Sequence, residues 1–119
     1  MRIVSRETFM TLPAGTVYCE YEPCIFGNWL IKGQTIVSDG ENIDWFYDAS
    51  LDSLDAGDLF ETLDTMTAQG TSTTVDFYQG GRDGCFAWEQ LYAVYEQADL
   101  KGLIKRLQEA ETEAFGVAQ

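Results

Sequence analysis

Histidine is absent from this chain. Its absence removes the commonest general base and the usual partner of a serine or cysteine nucleophile. Cations are scarce too, with seven lysines and arginines in 119 residues and none between Gly33 and Gly81. The three cysteines, Cys19, Cys24 and Cys85, are an odd number with no apolar leader before them. That pattern is expected of reduced thiols in a cytoplasmic protein. Cys19 and Cys24 have the spacing of two metal ligands. One further thiol and no imidazole do not complete a tetrahedral zinc site, so neither metal nor other cofactor is expected. No apolar run reaches the roughly 20 residues of a membrane span, and no membrane partner is expected. The glycines at 80, 81 and 84 are not followed by the Gly-Lys-Ser/Thr of a phosphate loop. In Asp48-x-Ser50-x-Asp52, Ser53 and Leu59 stand where a calcium loop needs glycine and glutamate.

What the cation-free stretch does contain is acid and aromatic rings together. Asp39, Glu41, Asp44, Asp48, Asp52, Asp55, Asp58, Glu61, Asp64 and Asp76 are half of the chain's 20 acidic residues. Trp45, Phe46, Tyr47, Phe60, Phe77 and Tyr78 are interleaved with them. A composition 45% apolar and 13% aromatic supports a packed core despite a net charge of −13. Such a charge opposes binding to bare nucleic acid or an anionic bilayer, and its natural complement is a cationic partner. Acidity that serves solubility alone is the competing explanation.

Period-2 and period-3.6 patterning alternate along the chain. Strands are expected near residues 17–21, 43–48, 73–78 and 91–95, with helices near 57–69 and 99–111. Arg2 to Val4 can open with a short strand, after which Ser5 can cap a helical turn that Pro13 stops. Gly27-Asn28 and Gly33 read as turns that divide the residues from Ile25 to Val37 into short strands, and Ser38-Asp39-Gly40 is a strong turn signal. On the strand from Ile43 to Asp48, Asp44, Phe46 and Asp48 share one face, which is expected to be exposed. Asp58 is expected to cap the middle helix, with Leu59, Leu63 and Met66 packing inward and Gly70 ending it. Gly80 to Gly84 reads as a turn or small loop. Asp99 is expected to cap the last helix, whose buried stripe would be Leu100, Leu103, Ile104 and Leu107, with a tail that frays from about residue 112. The whole reads as one α+β domain over residues 1–119, a largely antiparallel sheet with two main helices.

With no catalytic or metal motif complete, stoichiometric binding is favoured over turnover. The first expectation is an acidic face over residues 39–64 that mimics nucleic acid and blocks the cationic groove of a host nucleic-acid enzyme. Asp44, Phe46, Asp48, Asp52, Asp55 and Glu61 are its candidate residues. The alternative is a sponge for a cyclic nucleotide, in which scarce cations gather around the ligand by homo-oligomerisation. Lys32, Arg82, Lys105 and Arg106 would supply charge and Tyr78, Phe86 and Trp88 a stacking platform. Arg82 could instead be an exposed arginine paired with Asp83 or Asp76. Leu-Pro-Ala-Gly-Thr at 12–16, Glu-Pro-Cys-Ile-Phe-Gly at 22–27, Ile-Lys-Gly at 31–33 and Gly-Arg-Asp-Gly at 81–84 resemble small acidic proteins of tailed bacteriophages. That resemblance implies a counter-defence protein, either an anti-CRISPR-like nucleic-acid mimic or an anti-Thoeris-like sponge, in the cytoplasm of an infected bacterium.

Overall fold

Six strands form one antiparallel sheet in the order β1-β6-β2-β3-β4-β5 in a computed structural model of the chain. Residues 1–49, 56–72, 77–78 and 80–116 are described, residues 56–59 by backbone alone. β1 is Arg2–Ser5, β2 Val17–Glu22, β3 Ile25–Ser38, β4 Glu41–Asp48, β5 Gly80–Arg82 and β6 Leu91–Val94. Helices α1, α2 and α3 span Arg6–Met10, Ala56–Gln69 and Gln97–Phe115. The sheet with its helices makes an α+β fold, as the alternating patterns predict. Among the described residues no helix is long and apolar enough to cross a membrane.

The core is built where α1 lies on the sheet. Ser5 caps α1 as expected, its hydroxyl accepting the Thr8 amide at 3.2 Å. The short helix carries Phe9 and Met10 onto Val4, Tyr18, Trp45, Tyr92 and Val94. Phe9 meets Tyr18, Tyr92 and Trp45 at ring-centroid distances of 4.4, 4.7 and 4.8 Å. The Trp45 indole donates to the Tyr18 hydroxyl at 3.1 Å, so both polar tips are satisfied in the interior. Burial pushes the Tyr92 phenol up to about 12, with nearby Arg6 acting in the opposite direction.

Glycine did not divide the third strand. β3 runs unbroken through Gly27 and Gly33, against the expectation of short strands. At Gly33 the register slips between Lys32 and Thr35, and an added Cβ would lie 3.1 Å from the Phe46 carbonyl oxygen. The residue therefore serves close approach at a bulge. Two turns do fall where side chains demand them. Cys24, after Pro23, has φ 68°, and Asp39-Gly40 has φ 51° and 77°, the doubly positive pair of a tight hairpin between β3 and β4.

The edge strand beside β4 falls on residues that read as a loop. Of the strand expected at 73–78, residues 73–76 lie outside the described residues, and Phe77 and Tyr78 form a bend. Gly80 to Arg82, read as part of a loop, pairs instead with Phe46 to Asp48. A Cβ at Gly80 would stand 1.6 Å from the Tyr47 carbonyl oxygen, so only glycine brings this edge so close.

Among the described residues neither long helix has a fully buried apolar stripe. α2 starts at Ala56, ahead of the expected cap at Asp58, and Gly70 ends it with φ 65° as predicted. Leu63 is exposed and Met66 half-buried, so the inward packing foreseen for them is not found; the Leu59 side chain lies outside the described residues. α3 is capped by Glu96 and not by Asp99, which occupies the third helical position and accepts the Glu96 amide at 2.9 Å. The helix continues through Phe115 with no residue buried. Leu100 and Leu103 are half-buried, and Ile104 and Leu107 are exposed. The stripe of α3 is amphipathic as expected but not buried: the described chain leaves it half-covered at Leu100 and Leu103 and open at Ile104 and Leu107.

Candidate functional site

Arg6, the first residue of α1, is fully buried and gathers a network of charge. Its guanidinium donates to Asp83 at 3.1 Å and to the Ile43 carbonyl at 3.0 Å, and lies 3.6 Å from Asp44. Asp44 is also fully buried, accepts the Arg82 Nε at 2.5 Å, and accepts the Gly84 amide at 3.0 Å. Buried ion pairs add little net stability, because desolvation cancels most of their attraction. Among the described residues Arg6 Nε is a buried donor without an acceptor, a further cost of about 1–3 kcal/mol. The network therefore makes better sense as a device that holds geometry.

What it holds is the connection from β5 to β6, residues 83–90. The Asp83 amide donates to the Trp45 carbonyl at 3.0 Å, and the Cys85 amide donates to Asp83 at 3.3 Å. At the far end the Gln90 side chain donates to the Tyr21 and Leu91 carbonyls, both at 3.0 Å. Phe86 between these anchors adopts φ 50°, a strained value for an aromatic residue that its surroundings must enforce. The Arg6 guanidinium lies 4.5 Å from the Trp45 ring centre, 5.2 Å from Trp88 and 5.8 Å from Phe86. Cation–π attraction thus fixes the inner sides of two loop rings. Phe86 remains 42% exposed and Trp88 64% exposed.

Trp88 divides two depressions. One, of about 640 Å³, is lined by Tyr21, Glu22, Trp88 and Glu89 among others. The other, of about 550 Å³, includes Glu7, Met10, Glu41 and Trp88. All four glutamates are exposed, and no lysine or arginine lines either depression. A large, restrained aromatic ring rimmed by carboxylates has the composition of a binding anchor for a cationic surface.

A third cleft, of about 250 Å³, opens beside the loop, with Tyr18, Glu20, Tyr47, Asp83 and Cys85 among its walls. Although Glu20 is exposed as a residue, burial of its carboxyl in this cleft raises its pKa, with Asp83 and Glu22 adding to the effect. A raised carboxyl pKa favours the fold while the group is protonated, and that contribution is lost as pH rises through the folded-state value. Glu20→Gln should therefore raise the melting temperature at pH 7. The gain should vanish below about pH 4, where the free carboxyl is protonated in both states. Melting curves of the two proteins across that range check it; an equal offset at every pH would contradict the titration.

The structure separates the acid-face residues named from sequence. Asp44, expected on an exposed face, is in the interior, because two arginines and an amide converge on it. Asp48 is half-buried in β4, Phe46 is 51% exposed on the outer face, and Glu61 is exposed on α2. Asp52 and Asp55 lie outside the described residues. Of the cations named for a nucleotide, Lys32 is buried, bonded to the Gly33 carbonyl and to Thr35 at 3.1 and 2.7 Å. Arg82 pairs with Asp44 and, among the described residues, not with Asp83; Asp76 lies outside the described residues. Lys105 and Arg106 ride on α3, where Arg106 meets Glu113 at 3.2 Å. Phe86 and Trp88 do come together, but around Arg6; Tyr78 is 88% exposed in its bend. Sequence reasoning passed over Arg6 and the glutamates at 7, 22 and 89; it placed Glu41 in the acid-rich stretch without naming it a candidate, and weighed Asp83 only as a partner of Arg82. The scarcity of cations was the usable signal for Arg6, since each arginine in so acidic a chain asks for a specific partner. Among the described residues no group of three or more Cys, Asp or Glu is placed to hold a metal.

No protein-family model matches this chain, and no curated protein or solved structure matches it significantly.

Proposed function

We propose that the protein acts by stoichiometric binding of a cationic protein surface, with Trp88 on the pinned 83–90 loop as its anchor. One observation carries this reading. From Glu7 to Leu100 the chain has only two cations, Lys32 and Arg82, and the fold commits the first to its interior and the second to Asp44. The surface made by this stretch therefore presents carboxylates with little of its own to neutralise them. Such a field can raise the association rate with a basic groove by about 10–10³ and makes binding fall with salt. A groove that ordinarily holds nucleic acid is the surface richest in unpaired cations. The resemblance to small acidic phage proteins, which include counter-defence factors, suggests that its owner is a host nuclease or other nucleic-acid enzyme. The commitment of Lys32 and Arg82 counts against the nucleotide sponge, which needs those charges for its ligand.

The test is affinity capture from a bacterial host lysate at low and high salt, followed by direct titration of whatever basic nucleic-acid enzyme is retained. Trp88→Ala should weaken that affinity by about 30-fold, the scale of an aromatic hot spot. Glu22→Lys with Glu89→Lys should slow association by about tenfold or more and flatten its salt dependence. All three residues are exposed, so the variants should fold. Equal binding by both variants would move the interface elsewhere. Retention of only a small nucleotide would replace the proposal with the sponge.

A further inference from the structure

The uncovered apolar face of α3 has a period and a charge pattern that name its occupant. Leu100, Leu103, Leu107, Ala110 and Ala114 recur at intervals of three, four, three and four. That is a seven-residue spacing held for two repeats, the arrangement that a short two-helix coiled coil buries, and the structure leaves no residue of α3 fully buried. Gly102 falls outside the seam. Within the seam Leu107 and Ala114 are exposed, Leu107 by 59%, and Leu100, Leu103 and Ala110 are half-buried; Ile104, beside the seam, is 48% exposed. Arg106 and Glu113 occupy equivalent flanking positions one repeat apart. Their contact at 3.2 Å shows that both side chains run along the same margin of the seam.

Charge decides what lies opposite. α3 carries three of the chain's seven cations, Lys101, Lys105 and Arg106, all in its first half, and Glu109, Glu111 and Glu113 follow in its second. We infer that α3 pairs antiparallel with α3 of a second copy of this chain. In that arrangement the basic half of each helix faces the acidic half of the other, and Arg106 of one copy reaches Glu113 of the other twice per dimer. Leu107 then meets Ala110 of the second copy and Leu103 meets Ala114, bulky against small in each layer. A parallel pair would set cation against cation and acid against acid, in a protein whose net charge of −13 already opposes self-association.

Sedimentation equilibrium on the full chain tests this, with an expected mass of twice 13.4 kDa. Leu107→Glu places a charge in a central layer at an exposed position, so the monomer should fold while self-association weakens roughly 100-fold. Arg106→Glu alone and Glu113→Arg alone should each weaken it, since each sets like charges together twice in its own dimer. An equimolar mixture of those two variants should restore a dimer, because every cross-chain pair is then opposite in sign. Mixing cannot repair the contact within one helix, so restoration reports pairing between chains. A wild-type chain monomeric up to about 1 mM would overturn the inference. So would a dimer indifferent to Leu107→Glu, or a mixture that fails to restore it.

Discussion

Asp44→Ala will lower the free energy of unfolding by about 3–5 kcal/mol, the cost of leaving buried charge without its partner. The carboxylate is fully buried and is approached by Arg6, Arg82 and the Gly84 amide. Its removal leaves the buried Arg6 guanidinium with one carboxylate in place of two. It also frees Arg82 from the sheet edge and removes the acceptor that fixes the start of the 83–90 loop. Asp44→Asn keeps the volume and one acceptor oxygen but no charge, and should cost less than Asp44→Ala. Glu61→Ala, at an exposed helical site, should stay within about 0.5 kcal/mol. Urea denaturation of the three variants measures the differences. Amide exchange over residues 84–90 should accelerate in Asp44→Ala more than exchange in β2. A loss below about 1 kcal/mol, with amide exchange over residues 84–90 unchanged, would mean that the network contributes neither stability nor geometry.

Phe9→Ala should be comparably damaging, at about 3–5 kcal/mol, for a different reason. Phe9 is fully buried on a helix of five residues, and its ring is the contact through which α1 holds Tyr18, Trp45 and Tyr92. Truncation removes the transfer free energy of the ring and leaves a cavity that three large aromatic neighbours cannot collapse to fill. So short a helix has almost no stability of its own, so losing its anchor should loosen the whole segment. Arg6 starts that segment, and the 83–90 loop should become more mobile with it. Thermal unfolding and near-UV circular dichroism, which reports the packing of the aromatic cluster, are the measurements. A variant that melts within a few degrees of the wild type would show that the cluster repacks around the gap.

Much of the local structure was legible in the residues themselves. Ser5 as a cap, Asp39-Gly40 as a hairpin turn and Gly70 as a helix end each follow from one residue's own backbone preference or hydrogen-bonding reach. Alternating and helical periodicities located β2, β4, β6, α2 and α3 within a few residues. Glycine misled at Gly33 and Gly80, because its lack of a Cβ serves both a turn and a close approach, and only the neighbouring strand shows which.

The candidate site was legible in composition and not in position. The excess of acid and the rarity of cations are properties of the sequence, and on them the proposal of a cationic partner rests. Which carboxylates face that partner does not follow. Asp44 and Phe46 have the same parity on one strand, yet Asp44 is drawn inward by Arg6, 38 residues earlier, and by Arg82, 38 residues later, while Phe46 is left in solvent. Glu7, Glu22, Glu41 and Glu89 are scattered along the chain and meet around Trp88 only because the sheet brings their four segments together. Charge and periodicity are sums over residues and survive any fold, whereas burial and pairing depend on which distant segment arrives alongside, and that is decided when the strands pair.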